Sequence, residues 1–232
     1  MIQAVLFDFN GVVIDDEALQ MKAYQEGLRD AGIELTEEQY YDSLGMDDVT
    51  FVRVAFERAG KELDEETLRA LIERKTELHR GLLEEGLPLF PGVVNFLKAL
   101  HHAYPLGLVS MARRTEIDYA LERAGLGETF EVVVSAEDAP RCKPDPACYE
   151  RALELLNRNR AGAHVLPLRA AECLAVEDSP PGVASARAAG MRTLAVTNTV
   201  AERPLREAGA EVVTHSLADW TLDAVRHVFD KR

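Results

Sequence analysis

The chain has 232 residues, 47% hydrophobic and 28% charged, which suits one large domain or two modest ones with a full core. A formal charge of −14 and a pI near 4.9 argue against non-specific binding to nucleic acid or to anionic membranes. Three cysteines, Cys142, Cys148 and Cys173, form no CxxC pair, which argues against a disulfide framework or zinc site and for reduced thiols in a cytoplasm.

Residues 3–8, QAVLFD, are a continuous apolar run ending in an acid, the pattern of a central parallel strand. No basic region precedes it and no run is long enough to span a bilayer, so it reads as a buried strand of a cytoplasmic protein. From about 16 to 86 the texture is helical and charge-rich. Residues 17–31 place Leu19, Ala23, Tyr24, Leu28 and Ala31 at helical spacing. Thr36 with Gln39 forms a capping box, residues 48–59 give another helix, and Asp64 caps a long one with Leu68, Leu71, Ile72, Leu78 and Leu82 on one face. From residue 91 helices and strands alternate. Helices are predicted at 91–100, 113–124, 146–157 and 181–189, with strands at 106–110, 131–135, 173–178 and 193–197. A short helix, a strand at 211–215 and a last helix follow, and residues 157–172 read as a surface extension. The pattern predicts an α/β fold: a Rossmann-like parallel sheet built from 1–15 and 87–232, interrupted by an all-helical insert at 16–86.

In an open parallel sheet, ligands bind beyond the carboxyl ends of the strands. The polar residues there are Asp8 and Asn10, Ser110, Lys143, and Glu177 with Asp178. Each alone has an ordinary role: a turn former, a helix cap, a solvated lysine, a capping acid. Together, carboxylates, a hydroxyl and one cation suit a divalent metal and a phosphoryl group.

This order, with the local sequences DFNGV at 8–12, GLVSM at 107–111, RCKPDP at 141–146 and AVEDSPPGVASARAAGM at 175–191, resembles the four motifs of the haloacid dehalogenase superfamily of phosphohydrolases. The resemblance runs from residue 3 to about 197, and the insert matches that family's helical cap. It implies that Asp8 attacks phosphorus to give an aspartyl phosphate. It implies Mg²⁺ held by Asp8, the backbone carbonyl of Asn10 and Asp178, with Glu177 a ligand or its immediate support. Ser110, the backbone N–H of Met111 and Lys143 would hold the phosphoryl oxygens.

Asn10 departs from the family. The acid normally there protonates the leaving oxygen and then activates water, which an amide cannot do. The chain is therefore a disabled phosphatase, a natural member with an altered role, or one in which Asp15 or Asp16 substitutes. Dehalogenase relatives carry an aromatic residue at this position and need no metal; phosphonoacetaldehyde hydrolases need a cap lysine, and Lys22, Lys61 and Lys75 read as surface-helix residues. In the similar beta-phosphoglucomutases, a cap histidine falls at Gln20 and a phosphate-gripping arginine at Asp48, where an acid repels a second phosphate. Arg113 and Arg114 either steer an anionic substrate or form a solvated helix face. The expectation is slow, Mg²⁺-dependent hydrolysis of a small phosphorylated metabolite, of sugar phosphate or phosphoglycolate type, by a monomer or small homo-oligomer. The competing readings are a non-catalytic phosphometabolite-binding protein and, further off, a phosphoglucomutase-like phosphotransferase.

Overall fold

The computed structural model describes residues 1–161 and 165–230. Strand β1 (Ala4–Phe7) is buried at every residue, as a run without a polar face requires. The chain then leaves the sheet for four helices: α1 (Glu17–Asp30), α2 (Glu37–Tyr41), α3 (Asp48–Arg58) and α4 (Glu65–Glu85). Three of them start where the side chains dictate. Thr36 and Gln39 close the capping box, and Asp47 and Asp64 accept from Thr50 N and Thr67 N, each at 2.7 Å. These helices bury a core of their own around Tyr24, Leu28, Phe51, Phe56, Leu68 and Ile72.

The rest of the chain alternates. Helix α5 (Val93–His101) leads to β2 (Leu106–Val109), α6 (Arg114–Ala124) to β3 (Val132–Val134), and α7 (Ala147–Arg160) to β4 (Cys173–Glu177). Helix α8 (Pro180–Ala188), β5 (Arg192–Val196), α9 (Glu202–Glu207), β6 (Val212–Thr214) and α10 (Leu222–Phe229) complete it. All pairs are parallel, in the order β3-β2-β1-β4-β5-β6. The two-residue period sorts β1 between layers: Val5 and Phe7 pack with α5, α6 and α10, while Ala4 and Leu6 pack with α7 and α8. The winding reverses between β1 and β4, so a crevice opens beyond their carboxyl ends, where Asp8 and Asp178 stand.

Two expectations are corrected. The buried stripe of α4 is Leu68, Ile72, Lys75, His79 and Leu83, whereas Leu71, Leu78 and Leu82 are half-buried. Of the predicted extension at 157–172, α7 takes residues to Arg160, a 3-10 turn takes Ala170–Glu172, and 162–164 lie outside the described residues. Among the described residues no helix is long and apolar enough to cross a membrane.

Candidate active site

The floor of the site is a tight set of charges at three strand ends. Lys143 Nζ lies 3.0 Å from Asp8 Oδ2 and 2.7 Å from Glu177 Oε1, and donates to the Val109 carbonyl at 3.2 Å. Burial opposes the ammonium charge, but the Asp8 and Glu177 carboxylates outweigh it and hold Lys143 above the ordinary lysine range. Tyr149 OH donates to Glu177 Oε1 at 2.6 Å, and Phe9 N to Asp8 Oδ1 at 2.7 Å. Burial, then the Asp8 charge, pushes Glu177 up to about 7, with Lys143 and Tyr149 pulling the other way. The same two causes, joined by Glu177, raise Asp178 well above the carboxylate range.

One oxygen each from Asp8, Glu177 and Asp178 falls within a 4.8 Å cluster. Three buried acids against one ammonium leave an excess of negative charge, and the donors are all oxygen, the set that Mg²⁺ takes. Glycine at position 11 is what lets the chain turn here. Its φ is +73°, and a Cβ there would lie 1.9 Å from Asp178 Oδ2.

Asn10 stands beside this floor with its amide orientation set by its partners. Nδ2 donates to both oxygens of Asp16 at 2.9 Å, and Oδ1 accepts from Ser110 Oγ at 3.3 Å. Ser110 therefore does not cap α6, whose N-cap is Arg113; its Oγ accepts from Ala112 N at 3.0 Å and otherwise turns to the site. Asp16 is fully buried and is also bonded by Gln20 Nε2 at 3.3 Å and His79 Nε2 at 2.9 Å. Asp15 is exposed. Neither lines the cavity.

The cavity joins Asp8, Asn10, Ser110, Met111, Lys143 and Asp178 to residues of the helical insert. Gln20 and Asp48 are among these. Asp48 is not a bare charge: its Oδ1 accepts from Tyr24 OH and from Lys75 Nζ, the latter at 3.1 Å. Lys75 is 2% exposed and also bonds Glu116 at 3.0 Å, which corrects its reading as a surface lysine. Two buried acceptors on residues of this wall, Gln20 Oε1 and Asp48 Oδ2, have no partner among the described residues. Arg113 is not brought in. Its guanidinium turns toward Glu137, at 3.9 Å, and Thr76, at 3.4 Å, and it borders a different groove.

A cavity acid escapes the sequence reading. Glu17, in the first turn of α1, shares the helix face of Gln20 and Tyr24 and lines the same cavity. Its Oε2 accepts from Tyr40 OH at 2.6 Å. Burial, then the neighbouring Asp16 carboxylate, pushes it up to about 7, against the Tyr40 bond. Stepping back one turn from Gln20 was the available signal.

A family model described as haloacid dehalogenase-like hydrolase matches residues 5–196. The chain is 28% identical over 222 residues to hexitol phosphatase B of Escherichia coli (strain K12), covering 95% of each. It is 28% identical over 230 residues to the Arabidopsis thaliana protein SUPPRESSOR OF QUENCHING 1, chloroplastic, covering 97% of this chain but only 20% of that much longer protein. In fold it matches a beta-phosphoglucomutase from Clostridium difficile with a TM-score of 0.86 at 20% identity, over 99% of this chain and 98% of the other.

Proposed function

The chain belongs to the haloacid dehalogenase-like hydrolases and is an enzyme of phosphatase type; on that premise we propose that it hydrolyses, through Asp8, the phosphomonoester of a small, uncharged, hydroxyl-rich alcohol. The observation that carries the chemistry is the setting of Asp8, with Lys143 at 3.0 Å, Ser110 across the same cavity and the Glu177–Asp178 acids beside it. In this reading Asp8 attacks phosphorus, while Ser110 Oγ, the Met111 N–H and Lys143 hold the phosphoryl oxygens. Asp8, the Asn10 carbonyl and Asp178 would hold Mg²⁺, with Glu177 supporting Lys143, and the ion would supply charge that offsets the repulsion between two anions. Residues 16–86 act as the cap that supplies the other half of the cavity.

The leaving group is read from that cap. Gln20 Nε2 is committed to Asp16, which leaves Oε1 as an acceptor, and Asp48 Oδ2 is a second one. Buried acceptors without partners call for hydroxyl donors. Lys75, the cation on this wall among the described residues, is already shared by Asp48 and Glu116 and leaves no free positive charge there to balance a carboxylate or a second phosphate. This favours a sugar or sugar-alcohol phosphate over phosphoglycolate, and the name of the E. coli relative supports it.

The test is phosphate release with Mg²⁺ from a panel of monophosphates. Hydroxylated sugar-type phosphates are expected to give kcat/KM about tenfold or more above phosphoglycolate, the worth of a hydrogen bond to a buried acceptor. Asp8→Asn is expected to abolish release while ligand binding persists. Faster turnover of phosphoglycolate, or turnover surviving Asp8→Asn, would overturn the reading.

A further inference from the structure

Hydrolysis through Asp8 needs a proton given to the leaving oxygen and one taken from water, and Asn10 can do neither. We propose that Glu17 is the general acid–base of this chain, in place of the residue that Asn10 has replaced. The inference rests on the phosphatase reading above.

Position comes first. Glu17 opens α1 directly after the loop that carries Asp8 and Asn10, and it lines the cavity that they line. Its carboxyl is held at one end only. Tyr40 OH fixes Oε2 at 2.6 Å, while Oε1 has no hydrogen bond to the described residues. Elimination comes next. Asp15 points out to solvent, and Asp16 is spent on Asn10, Gln20 and His79. Asp48 is tied to Tyr24 and Lys75, and Asp8 and Asp178 belong to the floor. Among the described cavity acids, Glu17 is the one neither paired with a cation nor part of the floor cluster.

The surroundings agree with the role. Facing Glu17 are Asp16 beside it, Tyr40 and Tyr41 of α2, Asp8 after β1, Lys75 of α4 and Asp178 after β4. Burial and the acids outweigh the Tyr40 bond and Lys75, so the carboxyl titrates at about 7 and is available in both protonation states at neutral pH.

The two steps balance. In the first, an Asp8 oxygen bonds to phosphorus, the bond from phosphorus to the leaving oxygen breaks, and the Glu17 proton passes to that oxygen. In the second, the Glu17 carboxylate takes a proton from water as the water oxygen bonds to phosphorus. The bond from phosphorus to Asp8 breaks, which frees inorganic phosphate and restores a carboxylate at Asp8 and a carboxyl at Glu17.

A double-mutant cycle with Mg²⁺ and a turned-over monophosphate tests this. Glu17→Gln keeps an acceptor for Tyr40 and removes only the proton. It is expected to lower kcat by about 10² or more in the Asn10 chain, but by less than about fivefold once Asn10→Asp supplies another acid. The fall of kcat/KM above about pH 7 in the Asn10 chain is expected to vanish in Glu17→Gln. Equal losses in both backgrounds, or an unchanged pH limb, would make Glu17 a holding residue and overturn the proposal. So would an Asn10 chain that is inert while Asn10→Asp turns over. If no form releases phosphate from any monophosphate, the phosphatase reading itself falls, and this proposal with it.

Discussion

Glu17 and Asn10 define the chemistry at the scale of single residues. A carboxyl raised from 4.5 to about 7 by the fold favours its protonated form in the native state. Its stabilisation is therefore complete below about pH 4.5 and is lost as the pH rises through about 7. The full shift corresponds to on the order of 3 kcal/mol. Glu17→Gln is accordingly expected to raise Tm relative to the parent at pH 8 and to leave it nearly unchanged at pH 4.5; a pH-independent difference would contradict the assignment. Gly11 makes a second prediction at this scale. Gly11→Ala forces a left-handed backbone and a clash with Asp178, and is expected to cost about 1–3 kcal/mol in denaturant unfolding and to remove turnover. A fully stable, active variant would show that the loop can be rebuilt.

At the scale of elements, α4 carries the sharpest contrast. Lys75 is buried between Asp48 of α3 and Glu116 of α6, joining the inserted helices to the sheet layer. Lys75→Met leaves two buried carboxylates without their cation and is expected to destabilise by about 3–5 kcal/mol, measured by urea unfolding. Lys22→Met on exposed α1 surface is expected to stay within about 0.5 kcal/mol, and equal effects would refute the burial argument. The same helix shows what was legible beforehand. Asp8, Ser110, Lys143, Glu177 and Asp178 each follow an apolar strand, and strand ends of a parallel sheet converge by geometry, so their meeting could be read from residue order. Glu17, Lys75 and His79 sit on helix faces. Hydrophobic periodicity counts a charged residue as solvent-facing, which turned the reading of α4 toward Leu71, Leu78 and Leu82 and hid the buried pair. Only the charges brought by Asp16, Asp48 and Glu116 from other elements make burial of Lys75 and His79 tolerable. Arg113 erred for the same reason in reverse, since Glu137 and Thr76 turn it from the cavity.

At the scale of the whole molecule, the sheet supplies a floor rich in acids and the insert supplies a wall rich in acceptors. The floor's charges predict a linkage with the metal. Glu177 and Asp178 hold protons more tightly than free carboxylates, so Mg²⁺ binding there would compete with protons. Adding Mg²⁺ is expected to raise Tm more at pH 8 than at pH 5.5, and the gain is expected to shrink in Asp178→Asn. A larger gain at the lower pH would place the ion elsewhere. The floor, the wall and the crevice between β1 and β4 all converge on one atom set, the carboxylate of Asp8. The direct measurement is mass spectrometry of the Asn10 chain quenched during turnover of a hydroxylated monophosphate with Mg²⁺. One phosphoryl group on the peptide carrying Asp8 is expected, and once substrate is removed it is expected to decay more slowly in Glu17→Gln because the water-activating base is gone. Continued phosphate release with no phosphoryl group on that peptide, or with the label on another residue, would contradict it.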